Sequence, residues 1–474
     1  MPSRFPSTCF FLAGALVPLG AQATPDPGRF FLLTQQARTA FTVQGAGARA
    51  TGTGGAFIAI ADDATAISYN PAGLAQLLRP EASVVAQGYA RSLTFQGFTG
   101  QVSGSPTTFE DTTNKDRGAA LSFASLAVPW KVDGRNVVFL MSYQRIFDFS
   151  YSSAVDYLAE ANGGLTTQGI NQQVRQSGGV NLYSMGLGAE LTARILVGVS
   201  VNAWQGASEF TSYSQRTTSG INQIFDSDLR QASSFRGVDA TLGVIWRSQW
   251  LNAGVVYRTP FTARYVFTDT TTTVDSTSGN LSHQAGQATG ANIDWPETLG
   301  VGLGLHLGPR WLAMADWSRT PWSKARFRDS GTTLDGVNWF DFQKATRVRD
   351  TEDLHLGTEV LAWVGSRVVI PVRVGFFREP QPIVDGQTGA QRVLTGWTLG
   401  CGIKFKDLTL DAALKVASNR RATSRYNTDA PIGGVASTAF GQEGLAERWF
   451  LVSLIYQLDT AKVHKALSWF FVGG

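Results

Sequence analysis

The amino-acid sequence predicts an all-β protein, a 14-stranded antiparallel transmembrane β-barrel with a small N-terminal α-helical plug in its lumen. Three features predict this fold: apolar residues that alternate along many segments, links that alternate in length, and tryptophans beside the short links. The composition agrees, since 16% of the 474 residues are charged, whereas ordinary soluble domains carry about 25%. Repeated apolar stretches of about 20 residues are absent, which argues against a helical membrane bundle.

Residues 1–23 are predicted to be a secretory signal peptide. Arg4 supplies the positive charge, residues 9–19 form a short apolar core, and an A-x-A cleavage motif occupies residues 21–23. The apolar core is too short to span a bilayer. Cleavage would leave Cys401 as the only cysteine, so we expect no intramolecular disulfide.

Past position 80 the apolar residues recur at every second position. The clearest case runs from Leu408 to Val416, with one apolar face and one small or polar face, as in a barrel strand that faces lipid. A soluble sandwich also alternates, so a single strand does not decide the fold. We predict fourteen strands, at 81–95, 119–130, 135–150, 179–191, 195–209, 236–247, 250–268, 296–307, 311–329, 353–364, 367–379, 393–405, 408–422 and 446–458.

The links between these strands alternate between short and long. The short turns lie at 131–134, 192–194, 248–249, 308–310, 365–366 and 406–407. Long polar loops are predicted at 151–178, 210–235, 269–295, 330–352 and 423–445. Short turns on one side and long loops on the other are typical of outer-membrane barrels, with the short turns in the periplasm. The barrel is therefore predicted over 81–458, followed by a periplasmic C-terminal tail at 459–474.

Five tryptophans sit beside the short turns, namely Trp130, Trp246, Trp250, Trp311 and Trp363. An amphipathic indole is best solvated at the membrane–water interface, so a ring of them is expected there. Scattered core tryptophans would not collect at one kind of boundary. This pattern predicts the periplasmic interface.

The segment 24–80, which precedes the first strand, differs from the rest. Residues 45–57 are rich in Gly and Ala, and two short helices are expected after them. Asp62 or Asp63 can cap a helix over 64–69, and Pro71 can begin a second helix that runs to Leu77. The segment is too short for a separate domain, so its simplest location is inside the barrel.

This segment resembles the N-terminal hatch of the FadL-type outer-membrane transporters. The resemblance rests on the run from Gly47 to Ala75 and above all on the triplet Asn70, Pro71 and Ala72. It implies a monomeric barrel in the outer membrane of a Gram-negative bacterium, surrounded by lipid and inserted by the barrel-assembly machinery. It also implies that the triplet and Gly73 organise the hatch, and that hydrophobic small molecules such as long-chain fatty acids or aromatic hydrocarbons pass by diffusion.

In that family a kinked third strand opens the wall sideways. The third predicted strand here loses its alternation, because Arg145 falls in the same register as the apolar residues 137–143. A bulge would resolve this conflict. The alternative is an Arg at the lipid edge whose side chain reaches the interface. Arg145 is thus our candidate for the lateral opening.

The alternation assigns several charged residues to the lumen. They are Glu190, Asp239, Arg258, Asp316, His355, Glu359, Arg373, Lys404, Asp411 and Lys415. A substrate carboxylate would need a cation in a poorly solvated site, so the substrate-binding candidates are Arg258, Arg373, Lys404 and Lys415. The alternative is an interior held by salt bridges, for example between Lys415 and Asp411.

Two functions remain open from the sequence. The first is passive uptake of hydrophobic compounds, and the second is a structural or protein-export accessory role, because the hatch also resembles barrels that act in protein export. We expect no enzyme, no cofactor and no metal site, since no nucleophile motif or metal-ligand spacing accompanies the four His. A net charge of +4 without a Lys/Arg run indicates no nucleic-acid partner.

Overall fold

The computed structural model describes residues 45–102, 105–108, 111–161, 166–218, 223–275, 279–285, 289–328, 346–385, 388–426, 438–461 and 463. The predicted signal peptide and residues 24–44 lie outside this part, as does most of the predicted tail. In the described part of the chain, no helix is long and apolar enough to cross a membrane.

The strands form one antiparallel sheet. They are β1 (Glu81–Val102), β2 (Ser105–Thr108), β3 (Thr112–Val132), β4 (Arg135–Asp148), β5 (Tyr151–Ala161), β6 (Thr166–Thr192), β7 (Ile195–Thr218), β8 (Gln223–Arg247), β9 (Leu251–Arg258), β10 (Phe261–Asp275), β11 (Asn280–Ala285), β12 (Thr289–Trp295), β13 (Thr298–His306), β14 (Trp311–Thr320), β15 (Phe327–Arg328), β16 (Thr346–Val348), β17 (Thr351–Val364), β18 (Val368–Asp385), β19 (Gln391–Phe405), β20 (Leu408–Tyr426) and β21 (Thr438–Gln457).

These segments combine into fourteen spanning strands, as predicted. Nine are single segments, whereas β4–β5, β9–β10, β11–β13, β14–β15 and β16–β17 are interrupted strands, and β2 extends β1 as a hairpin. The last strand closes the barrel, because β21 pairs with both β20 and β1, starting at Glu81 and Gln457. Closure leaves no sheet edge exposed to lipid, which a bilayer requires.

The strands extend well beyond their predicted outer ends. Much of the predicted loops 151–178 and 210–235 is strand, and β6 alone has 27 residues. A bilayer needs only about 9–11 residues per strand. Beyond the membrane the backbone ladder continues, but its side chains no longer need to alternate between lipid and lumen. The alternation therefore marks only the membrane-crossing half of each strand.

The outer surface carries the expected apolar band. Exposed residues such as Leu299, Val301, Leu303 and Leu305 alternate with lumen-facing glycines along β13. All five tryptophans beside the short turns are exposed, which agrees with a girdle at the interface. A closed barrel with this exterior is a Gram-negative outer-membrane protein.

The hatch, residues 45–80, lies inside the barrel. It contains an α-helix, α1 (Ala48–Gly52), which sequence reasoning missed, and two 3-10 helices, Ala64–Ser68 and Pro71–Gln76. Both were predicted as short helices, and Asp63 and Asn70 cap them through their side chains. A further 3-10 helix, Trp322–Lys324, interrupts the ninth spanning strand.

Candidate functional site

Glycines on the inner wall make room for the hatch. An ideal Cβ on Gly254 would lie 2.6 Å from the carbonyl oxygen of Ile58, and one on Gly188 would lie 2.8 Å from the amide nitrogen of Ala75. The same holds within 3.0 Å of hatch atoms at further wall positions, namely Gly186, Gly198, Gly243, Gly300, Gly302, Gly304, Gly357, Gly375 and Gly400. The glycines of the inner face therefore leave the space that the hatch occupies, and larger residues at these positions would collide with it.

The predicted hatch triplet sits at the centre of this contact. Asn70 is fully buried, its Oδ1 accepts from the amide of Ala72, and its Nδ2 donates to the carbonyl of Ile58 at 3.0 Å. The same Nδ2 reaches the wall carbonyls of Val244 at 3.3 Å and Val255 at 3.4 Å. One amide therefore joins two parts of the hatch to two strands.

Pro71 and Gly73 shape the chain that follows Asn70. Pro71 begins the second 3-10 helix, at the first position, where a missing N–H costs nothing. Gly73 lies so close to the carbonyl of Ala61 that a side chain would not fit there. These features agree with a structural role for the triplet and Gly73 in the hatch.

A chain of buried charges ties α1 to the wall. Arg373 is 3% exposed and binds Glu359 and Asp411, each at 2.5 Å. Glu359 also accepts two hydrogen bonds from Arg49 of the hatch, at 3.0 and 3.1 Å, and Arg49 contacts Asp62. The guanidinium of Arg373 is thus engaged by two carboxylates, which leaves it poorly placed to bind a substrate.

Polar wall side chains also bind the hatch backbone. Asp316 Oδ2 accepts from the amides of Phe57 at 2.6 Å and Ile58 at 2.8 Å. Asn136 donates to the carbonyls of Ala75 and Leu77. These bonds satisfy hatch backbone groups that have no sheet partner.

One buried acid belongs to the hatch itself. Asp63 accepts from the amide of Thr65 at 2.8 Å and contacts its hydroxyl. Burial raises the pKa of Asp63 to about 6, although the charge of Arg49 acts in the opposite direction. The docked hatch therefore disfavours the ionised form of this carboxyl.

A cavity of about 180 Å³ lies between the hatch and the wall. Gly54, Ile58 and Tyr69 line its hatch side. On the wall side its titratable lining consists of Arg258, Asp316, Asp353, His355, Glu379 and Lys415, its hydroxyl lining of Thr241, Thr298, Ser318, Thr320 and Thr351, and its aromatic lining of Trp295, Trp322 and Trp449. The cavity is therefore partly aromatic and partly charged.

The four predicted substrate-binding cations occupy different places. Arg258 and Lys415 line the cavity, whereas Arg373 lies between Glu359 and Asp411, in the group of charges that contacts the hatch. Lys404 is exposed near the turn at 406–407. The suggested pairing of Lys415 with Asp411 is wrong: Lys415 binds Glu379 at 2.7 Å and lies 4.1 Å from the ring centroid of Phe377.

Arg258 has a looser environment. Its Nε lies 3.5 Å from Asp239 Oδ2, and its guanidinium lies 5.7 Å from the ring centroid of Trp204. Trp204 in turn packs with aromatic side chains of neighbouring strands, with ring centroids 5.1 Å from Phe261 and 5.2 Å from Trp295. Sequence reasoning missed this aromatic cluster, which comes together only when distant strands pair.

The third spanning strand is interrupted near Arg145, where the sequence left open a bulge or an Arg at the lipid edge. Its pairing with β6 shifts register between Arg145 and Phe147, which confirms the bulge. Arg145 does not extend into lipid; its guanidinium binds Asp148 at 2.9 Å and the carbonyl of Gly178 at 2.7 Å. After the bulge, Phe147 and Phe149 are buried.

The bulge accompanies a gap in the wall. β3 pairs with β4 only from Val132 to Phe123, and residues 112–121 of β3 pair with β1 alone. Among the described residues, no strand pairing joins this half of β3 to β5. Tyr89 spans the gap on the inner side: it lies over Gly118, and its hydroxyl is 3.3 Å from Asp116 and 3.4 Å from the carbonyl of Ser150.

Known proteins share this architecture. Among solved structures, a Pseudomonas aeruginosa FadL homologue has a TM-score of 0.60 at 13% identity, covering 89% of this chain and 100% of its own. The Ralstonia pickettii toluene transporter TbuX scores 0.54 at 14% identity, covering 88% and 100%. The P. putida toluene transporter TodX scores 0.51 at 12% identity, covering 88% and 99%. At these identities the likeness establishes the fold.

The sequence comparisons identify the family. No curated protein matches the chain. The family model described as BamG matches residues 48–349, more than half of the chain and including most of the hatch. The chain belongs to the BamG family, and its barrel has the fold of the FadL-type outer-membrane transporters.

Proposed function

We propose that this protein is an outer-membrane channel for passive uptake of hydrophobic small molecules, such as long-chain fatty acids or aromatic hydrocarbons. The observation that carries the proposal is a lumenal cavity beside an aromatic cluster, in a barrel whose described strands leave residues 112–121 of β3 without pairing to the third spanning strand. Two structures of the same fold are described as toluene transporters, which supports the same class of cargo.

The lateral gap is the proposed exit. Undocking the hatch would break the ion pair between Arg49 and Glu359 and the contacts of Asn70 with the wall, and breaking a buried ion pair costs about 3–5 kcal/mol. Moving Tyr89 would break two long hydrogen bonds, each worth about 0.5–1.5 kcal/mol. The sideways route is therefore cheaper, and Arg145 would hold the bulge that keeps it available.

The hatch would then stay docked during uptake, and cargo would not pass through it. In this proposal Asn70, Pro71, Ala72 and Gly73 fix its position, and Arg373, instead of binding cargo, holds Glu359, which binds Arg49 of the hatch. Arg258 and Lys415 remain the cations that a cargo molecule could meet in the cavity. Lys404 would serve neither purpose, because it is exposed near a periplasmic turn.

We further propose that the channel acts as a monomer without catalysis, with outer-membrane lipid around it and the barrel-assembly machinery needed only for insertion. Within the described residues, no group of three metal-ligating side chains occurs. Diffusion through a lumen needs no cofactor.

The test is uptake of a radiolabelled fatty acid and of toluene by a deletion strain, complemented with the wild-type chain or an empty vector. We expect complementation to restore uptake of at least one compound. Equal uptake with and without the gene for both compounds would refute the proposal. In that case a stoichiometric protein partner in the purified sample would favour the alternative, a structural or export accessory barrel.

A further inference from the structure

The lumenal cavity is small for the cargo of a general lipid channel. Its volume is about 180 Å³, whereas sites for drug-sized ligands occupy about 300–1,000 Å³. An engineered apolar cavity of about 150 Å³ binds benzene. The cavity therefore matches one aromatic ring with one or two small substituents.

One part of the cavity suits such a ring. Trp295 and Trp322 meet edge to face with centroids 5.4 Å apart, and Tyr69, Ile58 and Val256 complete the apolar lining. Aromatic pairs prefer offset or edge-on contacts of this spacing. A planar ring would gain more here than a flexible alkyl chain, which loses rotamer freedom on binding.

The other part of the cavity contains two carboxyl oxygens that accept no hydrogen bond from the described residues. Glu379 is 3% exposed and binds Lys415 through Oε1, but its Oε2 is buried and has no hydrogen-bond partner among the described residues. Asp353 also lines the cavity, and its Oδ1 is buried and has no hydrogen-bond partner among the described residues. A buried acceptor that receives no hydrogen bond costs about 1–3 kcal/mol, and a ligand O–H or N–H that donates to it would recover this free energy.

We propose that this cavity is a binding site for compact aromatic molecules with hydrogen-bond donors, such as phenol and catechol, whose donors reach Glu379 and Asp353. A plain hydrocarbon fills the volume but leaves both oxygens unpaired. An aromatic carboxylate adds a negative charge beside Asp316, Asp353 and Glu379, and the cations of the lining, Arg258 and Lys415, already contact Asp239 and Glu379. This inference rests on the proposed function and narrows its substrate class.

The experiment measures binding to the purified full-length protein in detergent by calorimetry, with catechol, toluene and benzoate as probes. The variants are Glu379→Gln and Asp353→Asn, in which a weaker amide acceptor replaces the carboxyl. Glu352→Gln is the matched control, because Glu352 adjoins Asp353 but is exposed on the outer face. Thermal unfolding of each variant checks that the barrel remains folded.

We expect catechol to bind at least about tenfold more tightly than toluene or benzoate. Each cavity variant should lose about fivefold in catechol affinity, with toluene affinity unchanged and the control like wild type. Toluene or benzoate binding as tightly as catechol would overturn the inference, and so would unaltered catechol affinity in both variants. No detectable binding of any probe would also overturn it.

The uptake assay separates this failure from failure of the proposed function. If complemented cells take up toluene but the purified protein shows no preference for catechol, the site assignment is wrong and the channel remains. If cells take up no hydrophobic compound at all, the proposed function fails by itself.

Discussion

Replacing Gly254 by Ala should loosen the hatch without touching any charged group. The new Cβ would lie 2.6 Å from the carbonyl oxygen of Ile58 and 3.0 Å from Ala59 Cα, whereas ordinary contact begins near 3.4 Å. The hatch backbone must therefore retreat by almost 1 Å. It has little freedom to do so, because Asp316 and Asn70 hold the same segment.

Overpacking of this kind costs about 1–3 kcal/mol in a close-packed interior. If that cost falls on the docked hatch, the undocked population rises about 5- to 150-fold. Proteolysis of a transiently open segment tracks its population when reclosing is fast. The assay is the rate of protease cleavage within residues 45–80 in the purified protein, followed by mass spectrometry.

Gly88→Ala is the control, since its Cβ would meet only the carbonyl oxygen of Gly118 at 3.7 Å, an ordinary contact. We expect this variant to be cleaved at the wild-type rate. If Gly254→Ala is also cleaved at that rate with unchanged thermal stability, close packing of the hatch does not require glycine at the wall positions, and the reasoning fails.

Three further changes probe other contacts. Arg49→Met should destabilise the docked hatch by about 1.5–3 kcal/mol, because it removes the charge-assisted hydrogen bonds from the hatch to Glu359, and a rise in channel conductance across planar bilayers would report it. The raised pKa of Asp63 means that the docked hatch binds this proton more tightly than the solvated segment does. Docking should thus be most stable below pH 4 and weaken as the pH rises to about 6, and Asp63→Asn should abolish that trend in cleavage rate. Tyr89→Ala should raise uptake about fivefold by opening the lateral gap, whereas the lipid-facing change Tyr183→Ala should not; equal uptake in both would count against the proposed exit.

Much of the fold followed from local chemistry. Alternation located the membrane half of each strand, and the short turns fixed which strands are neighbours. A capping Asp62 or Asp63 and the position of Pro71 predicted two short helices, because a cap or a first-turn proline acts within two or three residues of itself, and both proved to be 3-10 helices. The bulge at Arg145 was visible because a cation in the apolar register is a local conflict.

The outer ends of the strands and the partners in the ion pairs could not be predicted from the local sequence. Outside the membrane a strand keeps its hydrogen bonds but loses its apolar signal, so β6 and β7 extend through segments that resembled loops. Arg49 and Glu359 are 310 positions apart and meet only because the barrel closes around the hatch. Local spacing suggested Asp411 for Lys415, but Lys415 binds Glu379 on β18, across the intervening strand β19.

The sequence by itself determined the class of this protein. A period of two, segregated link lengths and a Gly-rich N-terminal block leave few structures other than a plugged barrel, because each strand face must suit either lipid or lumen. Tertiary structure alone decided what the lumen contains. Strand register set which glycines admit the hatch, which charges anchor it, and which carboxyl oxygens of the cavity accept no hydrogen bond from the described residues, since all of these depend on distances between strands that are far apart in the chain.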